Sequence, residues 1–471
     1  MSLFSRKYKK KNAEILPEDV LIDAANLPSF DTSQLEGRVV YGIDSRFFTF
    51  LIAASVLMFF FFTYSAFNLQ ISQGDFYAKK AENNRFESIP LFAERGGVYD
   101  KFNTPLVWNE TSSTSTEEFS RRKYTEEVPL GSLLGYVKYP KKDKKNGVYI
   151  TNALTPAGGI EAYLNSTLQG VEGSLFIETD AVGGIVSKTT ADLPKKGANV
   201  SLTIDIELQK MLYESIHKAS VEGGYFGGAA LVADVRDGSI VAAVTYPDFD
   251  SNIMTAGTDS ETIQKYLNDK KSYFLNRYTD GLYAPGSIVK PMFALAALHE
   301  GIVTPGETIL STGQLSVPNP YQPGQVTIFK DWKAHGYTNV REAIAVSSDV
   351  YFYTVSGGVP GKKGLGITKM AEYSKLFGLE ETYPDTFFTS QKSIIPTPEW
   401  KKKVFKGEDW RLGDTYHSSI GQYGFSITPM QALGMLMRIV RADERYDTLP
   451  DFKIQKDIPT TYTTLPSTLL N

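Results

Sequence analysis

The chain has 471 residues, of which 42% are hydrophobic and 22% are charged; it is long enough for two to three domains of ~150 residues and has ample apolar side chains for a globular core. Its net charge of −4 excludes the strongly basic surface that is typical of a nucleic-acid-binding protein. The absence of cysteine excludes disulfides, thiolate metal sites and cysteine nucleophiles, and four histidines are a poor supply for a Ser–His–Asp triad or a histidine metal site.

A polar tail with a basic beginning is followed by an apolar run from Phe47 to Phe67 that contains no charged residue. A membrane-spanning helix needs about 20 mostly apolar residues. We therefore predict a cytoplasmic tail over residues 1–45 and a transmembrane anchor over residues 46–68. The basic tail favours a cytoplasmic N-terminus, although further basic residues soon after the run weaken that signal. A buried core helix or a cleaved signal peptide fits the length and position of the run less well.

Residues 69–198 contain short apolar segments that are separated by Gly, Ser and Thr. This pattern is typical of an extended, β-rich module without one strong core. The strand candidates are Glu87–Phe92, Gly97–Tyr99, Ser174–Thr179 and Ile185–Lys188.

The pattern changes at about residue 199. Residues Asn199–Ile204 alternate as a strand does, and Ile206–Ala219 has apolar side chains at helical spacing. Two apolar runs, Gly228–Val235 and Ser239–Thr245, are joined by an Asp-Gly turn, which is a strong hairpin signal. The remainder reads as helices and loops, so we predict an α+β domain from residue 199 to residue 471.

One apolar run in this domain predicts a buried helix. It extends from Ile288 to Leu298 and is followed by Gly301, a typical helix stop. Pro291 is tolerated only in the first turn of a helix, so the helix must begin close to Ser287. The free N–H groups at a helix start favour developing negative charge beside Ser287.

Ser287 and Lys290 have the spacing of a nucleophile and its base, because residues three apart lie on one face of a helix. A serine hydroxyl needs a base to remove its proton, and a lysine can be that base where burial penalises its ammonium form. The same Ser-x-x-Lys pattern also occurs at Ser120–Lys123, in a charged stretch, and at Ser215–Lys218, on a solvent-facing helix surface. A helix cap followed by a snorkelling lysine remains the alternative for Ser287 and Lys290.

A second polar cluster, Ser347 to Asp349, follows a segment with a candidate capping box at Asn339 and Glu342. Its serines and aspartate could extend a proton-relay and hydrogen-bonding network around the first cluster. The alternative is that they only mark a break between two helices.

These motifs resemble those of the class B penicillin-binding proteins, which combine Ser-x-x-Lys, Ser-x-Asn and Lys-Thr-Gly. Six further segments resemble family signatures in the family's order. They are Arg95–Asp100, Gly131–Val137, Gly159–Glu161 with Leu168–Gly173, Leu202–Gln209, Tyr246–Asn252, and Gly421–Gln431. Three others are similar to the elongation-type branch, penicillin-binding protein 2: Asp331–Lys333, Glu399–Phe405 and Gly413–Thr415.

The resemblance implies a single-pass protein of the bacterial inner membrane with its N-terminus in the cytoplasm. It implies a β-rich, dimerisation-type pedestal over residues 69–198 and a serine β-lactamase-like transpeptidase domain over residues 199–471. The implied reaction is D,D-transpeptidation on peptidoglycan stem peptides ending in D-Ala–D-Ala, with β-lactams as acylating agents, no cofactor or metal, and a polytopic glycosyltransferase partner.

By the same resemblance, Ser287 is the acylated nucleophile and Lys290 takes its proton. Ser347 relays a proton to the leaving group, and Asp349 stands where most of the family has Asn. The family also leads us to expect Gly where Tyr423 stands.

The third family motif departs from this pattern, because no Lys-Thr-Gly or Lys-Ser-Gly follows Gln431. We therefore expect a transpeptidase domain that is incomplete at its C-terminal end. The main hypothesis is a D,D-transpeptidase of which this sequence is a truncated or frameshifted form of a longer gene product. The alternatives are a catalytically degenerate scaffold subunit of the cell-wall synthesis complex and a class D-like β-lactamase, a class that lacks an anchor and a pedestal.

Overall fold

The computed structural model describes residues 45–75, 86–110, 119–141, 153–179, 185–319, 322–384 and 386–441. The chain divides into two units, Met1–Arg85 and Phe86–Asn471. The predicted cytoplasmic tail lies outside the described residues except for its last residue, and so does the end of the predicted transpeptidase domain after residue 441. The domain boundaries at residues 45, 68 and 198 stay predictions.

The described part of the first unit is a long apolar helix, α1, from Ser45 to Phe67, which continues into a π-helical turn from Asn68 to Ser72. The segment Arg46–Ser72 contains an 18-residue window with a mean hydropathy of 2.1, none of which is buried. A helix of 23 residues is about 34 Å long at about 1.5 Å per residue, which matches a bilayer core of about 30 Å. The helix is therefore long and apolar enough to cross a membrane.

Among the described residues, the second unit begins with nine short strands that form three sheets. The strands are β1 Phe86–Leu91, β2 Val98–Tyr99, β3 Pro105–Glu110, β4 Arg121–Tyr124, β5 Tyr136–Lys138, β6 Thr155–Ala157, β7 Gly173–Thr179, β8 Ile185–Asp192 and β9 Val200–Ser201. The sheet orders are β1-β7-β8, β4-β3-β2-β9 and β5-β6. All these pairs are antiparallel except β2 with β9, which is parallel.

The four strand candidates of this region correspond to β1, β2, β7 and β8, with ends that differ by at most four residues. The strand predicted over Asn199–Ile204 is wrong in its length, because only Val200 and Ser201 form β9. The side chain of Asp205 accepts a hydrogen bond from the N–H of Leu208 and so caps the next helix. Between β9 and this cap the chain still runs beside β2, because the N–H of Leu202 donates to the carbonyl of Tyr99 and the carbonyl of Ile204 accepts from the N–H of Lys101, both at 2.8 Å.

Helices dominate the rest of the second unit, with six more strands between them. Short helices of the strand-rich part are α2 Gly131–Leu134, α3 Gly159–Tyr163 and α4 Asn165–Leu168; later helices are α5 Ile206–Glu222, α6 Ser251–Ala256, α7 Ser260–Asn268, α8 Lys290–His299, α9 Val340–Ala345, α10 Asp349–Gly357, α11 Gly366–Leu376, α12 Pro398–Val404, α13 Leu412–Ser419 and α14 Pro429–Val440. The strands are β10 Gly228–Ala233, β11 Ile240–Tyr246, β12 Ile309–Ser311, β13 Gln314–Pro318, β14 Val326–Lys330 and β15 Gly336–Thr338. This mixed content agrees with the predicted α+β class.

The predicted hairpin forms as β10 and β11, which pair antiparallel. Gly238 adopts φ +80° in the connecting turn, a conformation that glycine reaches without a steric cost. Helix α5 packs on both strands and inserts Gln209 into the sheet, where its amide donates to the carbonyl of Ala243 and accepts from the Ala243 N–H. The amphipathic pattern therefore predicted the position of this helix but not its buried face, because Met211 is exposed whereas Ile206, Gln209 and Ser220 are buried.

Two clusters of buried apolar side chains form the interior of the second unit. One surrounds α8 and includes residues from α9, α10, α11 and α13. The other joins the early strands to later elements, since Val98 and Leu106 belong to the same cluster as Ile240, Tyr278 and Met430. The β-rich part and the helical part of the second unit therefore share a core.

A buried charge cluster organises the β-rich part. Glu161 is fully buried, and its carboxylate accepts from the Nε atoms of Arg95 at 2.5 Å and Arg122 at 2.8 Å. Arg95 also donates to the backbone carbonyl of Glu161 and to Asn165. Buried charges are costly unless each is paired, so this arrangement ties α3 to the segment before β2 and to β4.

A buried carboxylate links the β-rich part to the helical part. Asp248 accepts from the N–H and the hydroxyl of Ser132 at 3.0 and 2.8 Å, and from the N–H of Phe249 at 2.9 Å. Burial raises the pKa of Asp248 to about 7, although the hydrogen bonds from Ser132 and Phe249 act in the opposite direction. A second link is reciprocal, because Asn252 and the backbone of Tyr124 exchange two hydrogen bonds at 3.0 Å.

We predict that Asp248 makes the stability of the protein depend on pH. Because its folded-state pKa of about 7 exceeds an unfolded value of about 3.9, the folded state holds more protons between these values. The free energy of unfolding should therefore fall as the pH rises from about 4 to about 7, by a few kcal/mol at most. Asp248→Asn should flatten this slope in urea denaturation of the detergent-solubilised chain.

Ser132→Ala provides the matched comparison for this prediction. It removes a hydroxyl donor that favours the ionised carboxylate, so the pKa of Asp248 should rise further. The free energy of unfolding should then continue to fall up to a higher pH than in the parent chain. An unchanged slope in Asp248→Asn would show that another group causes the pH dependence.

Candidate active site

Ser287 lies in a 3-10 turn, Gly286–Val289, directly before helix α8. Pro291 occupies the first turn of α8, as the sequence predicted. The helix is buried on nearly every side, because its side chains form the centre of the larger core cluster. Ser287 itself is exposed, and no side-chain hydrogen bond of its hydroxyl is found within the described ranges. The serine thus faces solvent from the edge of a rigid core.

The prediction that the helix places Ser287 and Lys290 on one helical face needs a correction. The 3-10 turn holds Ser287, whereas Lys290 is the first residue of the α-helix. A 3-10 turn has about three residues per turn, so the two residues still follow each other by one turn. Lys290 is 1% exposed, which rules out the alternative of a lysine that reaches into solvent.

The ammonium group of Lys290 binds the second polar cluster. Its Nζ donates to the backbone carbonyl of Ser347 at 2.8 Å, to the hydroxyl of Ser347 at 3.1 Å and to a carboxylate oxygen of Asp349 at 2.5 Å. It also lies 5.5 Å from the ring centre of Phe352. The structure therefore brings Lys290, Ser347 and Asp349 together, while Ser287 lies one turn away along the chain.

The segment that carries Ser347 connects two helices in a sharp bend. Helix α9 begins with the predicted capping box of Asn339 and Glu342, and Ser348 caps α10 by accepting from the N–H of Tyr351. Ser347 has a φ of +53°, in the left-handed region that costs a non-glycine residue about 1–2 kcal/mol. The sequence left two interpretations of the segment from Ser347 to Asp349 open, a helix break and a polar network. The structure shows that the segment is both.

Asp331 belongs to this site and was not predicted as a site residue. Its carboxylate accepts from the hydroxyls of Ser348 and Ser311 and from the N–H of Val350. Burial opposes its ionisation, but the N–H groups of Val350 and Asp349 outweigh that effect and hold the pKa of Asp331 below its ordinary value. The sequence offered one signal, since Asp331 begins a segment that resembles the elongation-type branch.

A glycine-rich loop, Gly421–Gly424, packs against the nucleophile turn. The carbonyl of Gly421 accepts from the N–H of Gly286 at 3.0 Å, and Gly421 has a φ of +71°. Tyr423, where the resemblance leads us to expect Gly, has a φ of +58°. Its ring stacks on Phe405, with 6.1 Å between centroids and 4° between planes, and lies edge-on to Trp400 and Trp410.

The other two Ser-x-x-Lys matches do not form comparable sites. Lys218 is 75% exposed and lies near Glu222, one turn along α5, as expected for a solvent-facing residue. Ser120 and Lys123 lie at β4, next to the buried charge cluster. In the residues that the structure describes, no group of three or more His, Asp or Glu side chains could hold a metal ion.

Comparison with known proteins identifies both parts of the second unit. The family model "Penicillin binding protein transpeptidase domain" matches residues 228–456, and "Penicillin-binding Protein dimerisation domain" matches residues 113–202. The peptidoglycan D,D-transpeptidase MrdA of Haemophilus influenzae is 32% identical over 356 residues, which is 73% of this chain and 50% of the relative. The chain thus spans about half the length of the curated relatives that it matches.

Solved structures show the same fold. A crystal structure of Pseudomonas aeruginosa PBP2 in complex with WCK 5153 has a TM-score of 0.61 and 23% identity, covering 81% of this chain and 76% of that chain. A chain in a structure of a peptidoglycan synthase complex, described for its coordination of polymerization and crosslinking, has a TM-score of 0.61 and 22% identity, covering 88% and 82%.

We predict that Gly421→Ala displaces the nucleophile turn. A Cβ atom at residue 421 would meet the backbone of Gly286 closer than real Cβ atoms approach backbone atoms, and the positive φ adds a cost of about 1–2 kcal/mol. Gly257→Ala is the matched control, because Gly257 has a φ of +65° and open space around it.

Both variants should be compared by thermal unfolding and by limited proteolysis near residue 286. Gly257→Ala should lose only the stability that corresponds to the conformational cost of its positive φ. Gly421→Ala should lose more stability and expose the turn to cleavage. Equal losses in the two variants would show that the contact with Gly286 is unimportant.

Proposed function

Because this chain belongs to the class B penicillin-binding proteins, in the elongation-type branch, we propose that its function is peptidoglycan D,D-transpeptidation. The substrates are stem peptides that end in D-Ala–D-Ala, and β-lactams are the corresponding acylating inhibitors. The observation that carries the proposal is the hydrogen bonding of the buried Lys290 to Ser347 and Asp349, one turn from the exposed Ser287.

The first half of the reaction forms a serine ester. The Oγ atom of Ser287 attacks the carbonyl carbon of the penultimate D-Ala, and Lys290 in its neutral form takes the hydroxyl proton. The N–H of Ser287 belongs to the 3-10 turn Gly286–Val289, whose first N–H groups have no partner within the turn, and it is the proposed donor to the oxyanion. The bond to the terminal D-Ala then breaks, and its nitrogen leaves with a proton that passes through Ser347.

The second half of the reaction transfers the acyl group. An amine of a neighbouring stem peptide attacks the ester carbonyl, and its proton returns through Lys290 to the Oγ atom of Ser287. The products are a new amide cross-link and the free serine. Asp349 holds the ammonium form of Lys290 between the two proton transfers, since it is a charged acceptor at 2.5 Å.

We further propose that helix α1 anchors the protein in a bacterial inner membrane with the N-terminus in the cytoplasm and the site outside it. The apolar span Arg46–Ser72 and the basic residues near the N-terminus support this orientation. A polytopic glycosyltransferase is the proposed partner. The similarity of the fold to a chain of a peptidoglycan synthase complex supports that proposal.

We expect the detergent-solubilised chain to be labelled covalently by a fluorescent penicillin, and Ser287→Ala to abolish the label, because only the Oγ atom of Ser287 forms the ester. Lys290→Met should slow labelling by about a hundredfold or more, the range for loss of a general base. In-gel fluorescence with a time course measures both effects.

Ser215→Ala is the matched control, because it changes the serine of another Ser-x-x-Lys pattern. It should label as the parent chain does. A folded parent chain that is never labelled, or a label that persists in Ser287→Ala, would contradict the proposal.

Asp349→Asn tests the role of the carboxylate beside the lysine. It keeps an oxygen acceptor but removes the negative charge, so the hydrogen bond from Lys290 loses its charged acceptor. We therefore expect slower labelling than in the parent chain. An unchanged labelling rate would show that the charge of Asp349 has no part in acylation.

A further inference from the structure

The proposed reaction depends on a segment that is not in a relaxed conformation. Ser347 has a φ of +53°, and both its carbonyl and its hydroxyl must face Lys290 to receive the hydrogen bonds described above. A strained residue persists only where its surroundings hold it. The contacts that hold this one come from a loop outside the three family motifs.

The first contact is made by the carboxylate of Asp331, which holds the chain on the C-terminal side of Ser347. The Oδ2 atom accepts from the hydroxyl of Ser348 and from the N–H of Val350, both at 3.0 Å. The carboxylate itself is fixed, because the N–H of Trp332 donates to Oδ1 at 2.8 Å and the side chain is fully buried. A buried carboxylate with several donors is a rigid anchor.

The second contact is made by Trp332, which holds the chain on the N-terminal side of Ser347. The indole N–H donates to the carbonyl of Val346 at 3.2 Å. The ring is 62% exposed, but it packs against His335 with 5.0 Å between ring centres, and Lys333 lies 4.5 Å above it. Hydrophobic burial alone does not explain a tryptophan at this exposure.

We propose that Asp331 and Trp332 act as a clamp that holds Ser347 in its left-handed conformation against Lys290. Both are positioning residues for the acyl transfer, since neither touches the attacking serine. Trp332 thus hydrogen-bonds to the residue immediately before Ser347, and the adjacent Asp331 to the residue immediately after it. The proposal about catalysis rests on the proposed transpeptidase function, whereas the clamp itself is a statement about local structure.

A simpler role for Asp331 is that of a helix cap that contributes only to stability. The two roles differ in their consequences. Loss of a cap lowers the fraction of folded protein, and with it the number of molecules that can be acylated. Loss of a positioning contact lowers the acylation rate constant of the folded molecules, because small misplacements of a reacting group are costly.

The test uses the detergent-solubilised chain and the variants Asp331→Asn and Trp332→Phe. Asn keeps the shape of Asp but turns one acceptor into a donor, while Phe keeps the ring and removes the indole N–H. Asp205→Asn is the control, since the carboxylate of Asp205 also accepts a backbone N–H at the start of a helix, that of Leu208, and has no part in the proposed clamp. Two quantities are measured: amide hydrogen exchange of residues 346–352 by mass spectrometry, and acylation by a fluorescent penicillin at several concentrations.

We expect both variants to exchange faster over residues 346–352, while the control changes exchange only at the start of α5. Acylation should slow by about ten- to a hundredfold in Asp331→Asn and less in Trp332→Phe. The dissociation constant of the initial penicillin complex and the labelled fraction at saturation should stay unchanged. If Asp331→Asn fails to fold, Trp332→Phe decides the matter, because its side chain is exposed.

Unchanged exchange over residues 346–352 in both variants would overturn the clamp. Faster exchange with an unchanged acylation rate constant, or a loss that appears only in the labelled fraction, would overturn the positioning role and leave a cap. A parent chain that is not acylated would overturn the proposed function instead, and the exchange measurement would still decide whether the clamp exists.

Discussion

A buried ammonium group sets the conditions for the whole site. Lys290 begins a helix whose neighbours are apolar on nearly every side, and a lone cation there would be strongly destabilising. The carbonyl and the hydroxyl of Ser347 and the carboxylate of Asp349 receive its donors. Because three acceptors must converge on one nitrogen, the chain at Ser347 is forced into its left-handed bend. The burial of Lys290 thus determines the conformation of the segment from Ser347 to Asp349.

The same constraint explains why the supporting contacts extend so far from the serine. A bend that costs about 1–2 kcal/mol must be offset by contacts that are lost if it relaxes. Asp331 and Trp332 supply such contacts, and Ser311 connects Asp331 to the β12–β15 pair. A chain of polar contacts therefore runs from this two-stranded sheet to the base of the site. The β-rich part is attached separately, through a shared core and through the hydrogen bonds of Asp248 with Ser132.

The sequence predicted those features that depend on residues close together in the chain. Pro291 and the apolar run that follows it determined the start of α8, the Asp-Gly turn determined the hairpin of β10 and β11, and Asn339 with Glu342 determined the start of α9. The strand predicted over Asn199–Ile204 was wrong in its length, because only Val200 and Ser201 pair as a strand. Its alternation still marks real contacts, since Leu202 and Ile204 are buried and hydrogen-bond to the backbone of Tyr99 and Lys101.

The part played by Asp331 could not be read from the sequence, because its partners Ser348 and Val350 lie 17 and 19 residues away. No periodicity relates such positions. The family resemblance marked the segment but assigned it no contact. The clustering of Lys290 with Ser347, by contrast, was expected from the resemblance and not from spacing, since 57 residues separate the two.

Tyr423 departs from the family pattern, and the contacts of its ring stabilise its unusual backbone conformation. A non-glycine residue with positive φ is strained, and this one lies between two glycines, Gly421 and Gly424, that are also left-handed. Its ring is held by Phe405, Trp400 and Trp410, and aromatic pairs contribute about 0.5–1.5 kcal/mol each beyond their buried area. Two such pairs suffice to offset the strain. The aromatic residues around Tyr423 therefore keep the loop in the shape that lets the carbonyl of Gly421 receive the N–H of Gly286, next to the nucleophile.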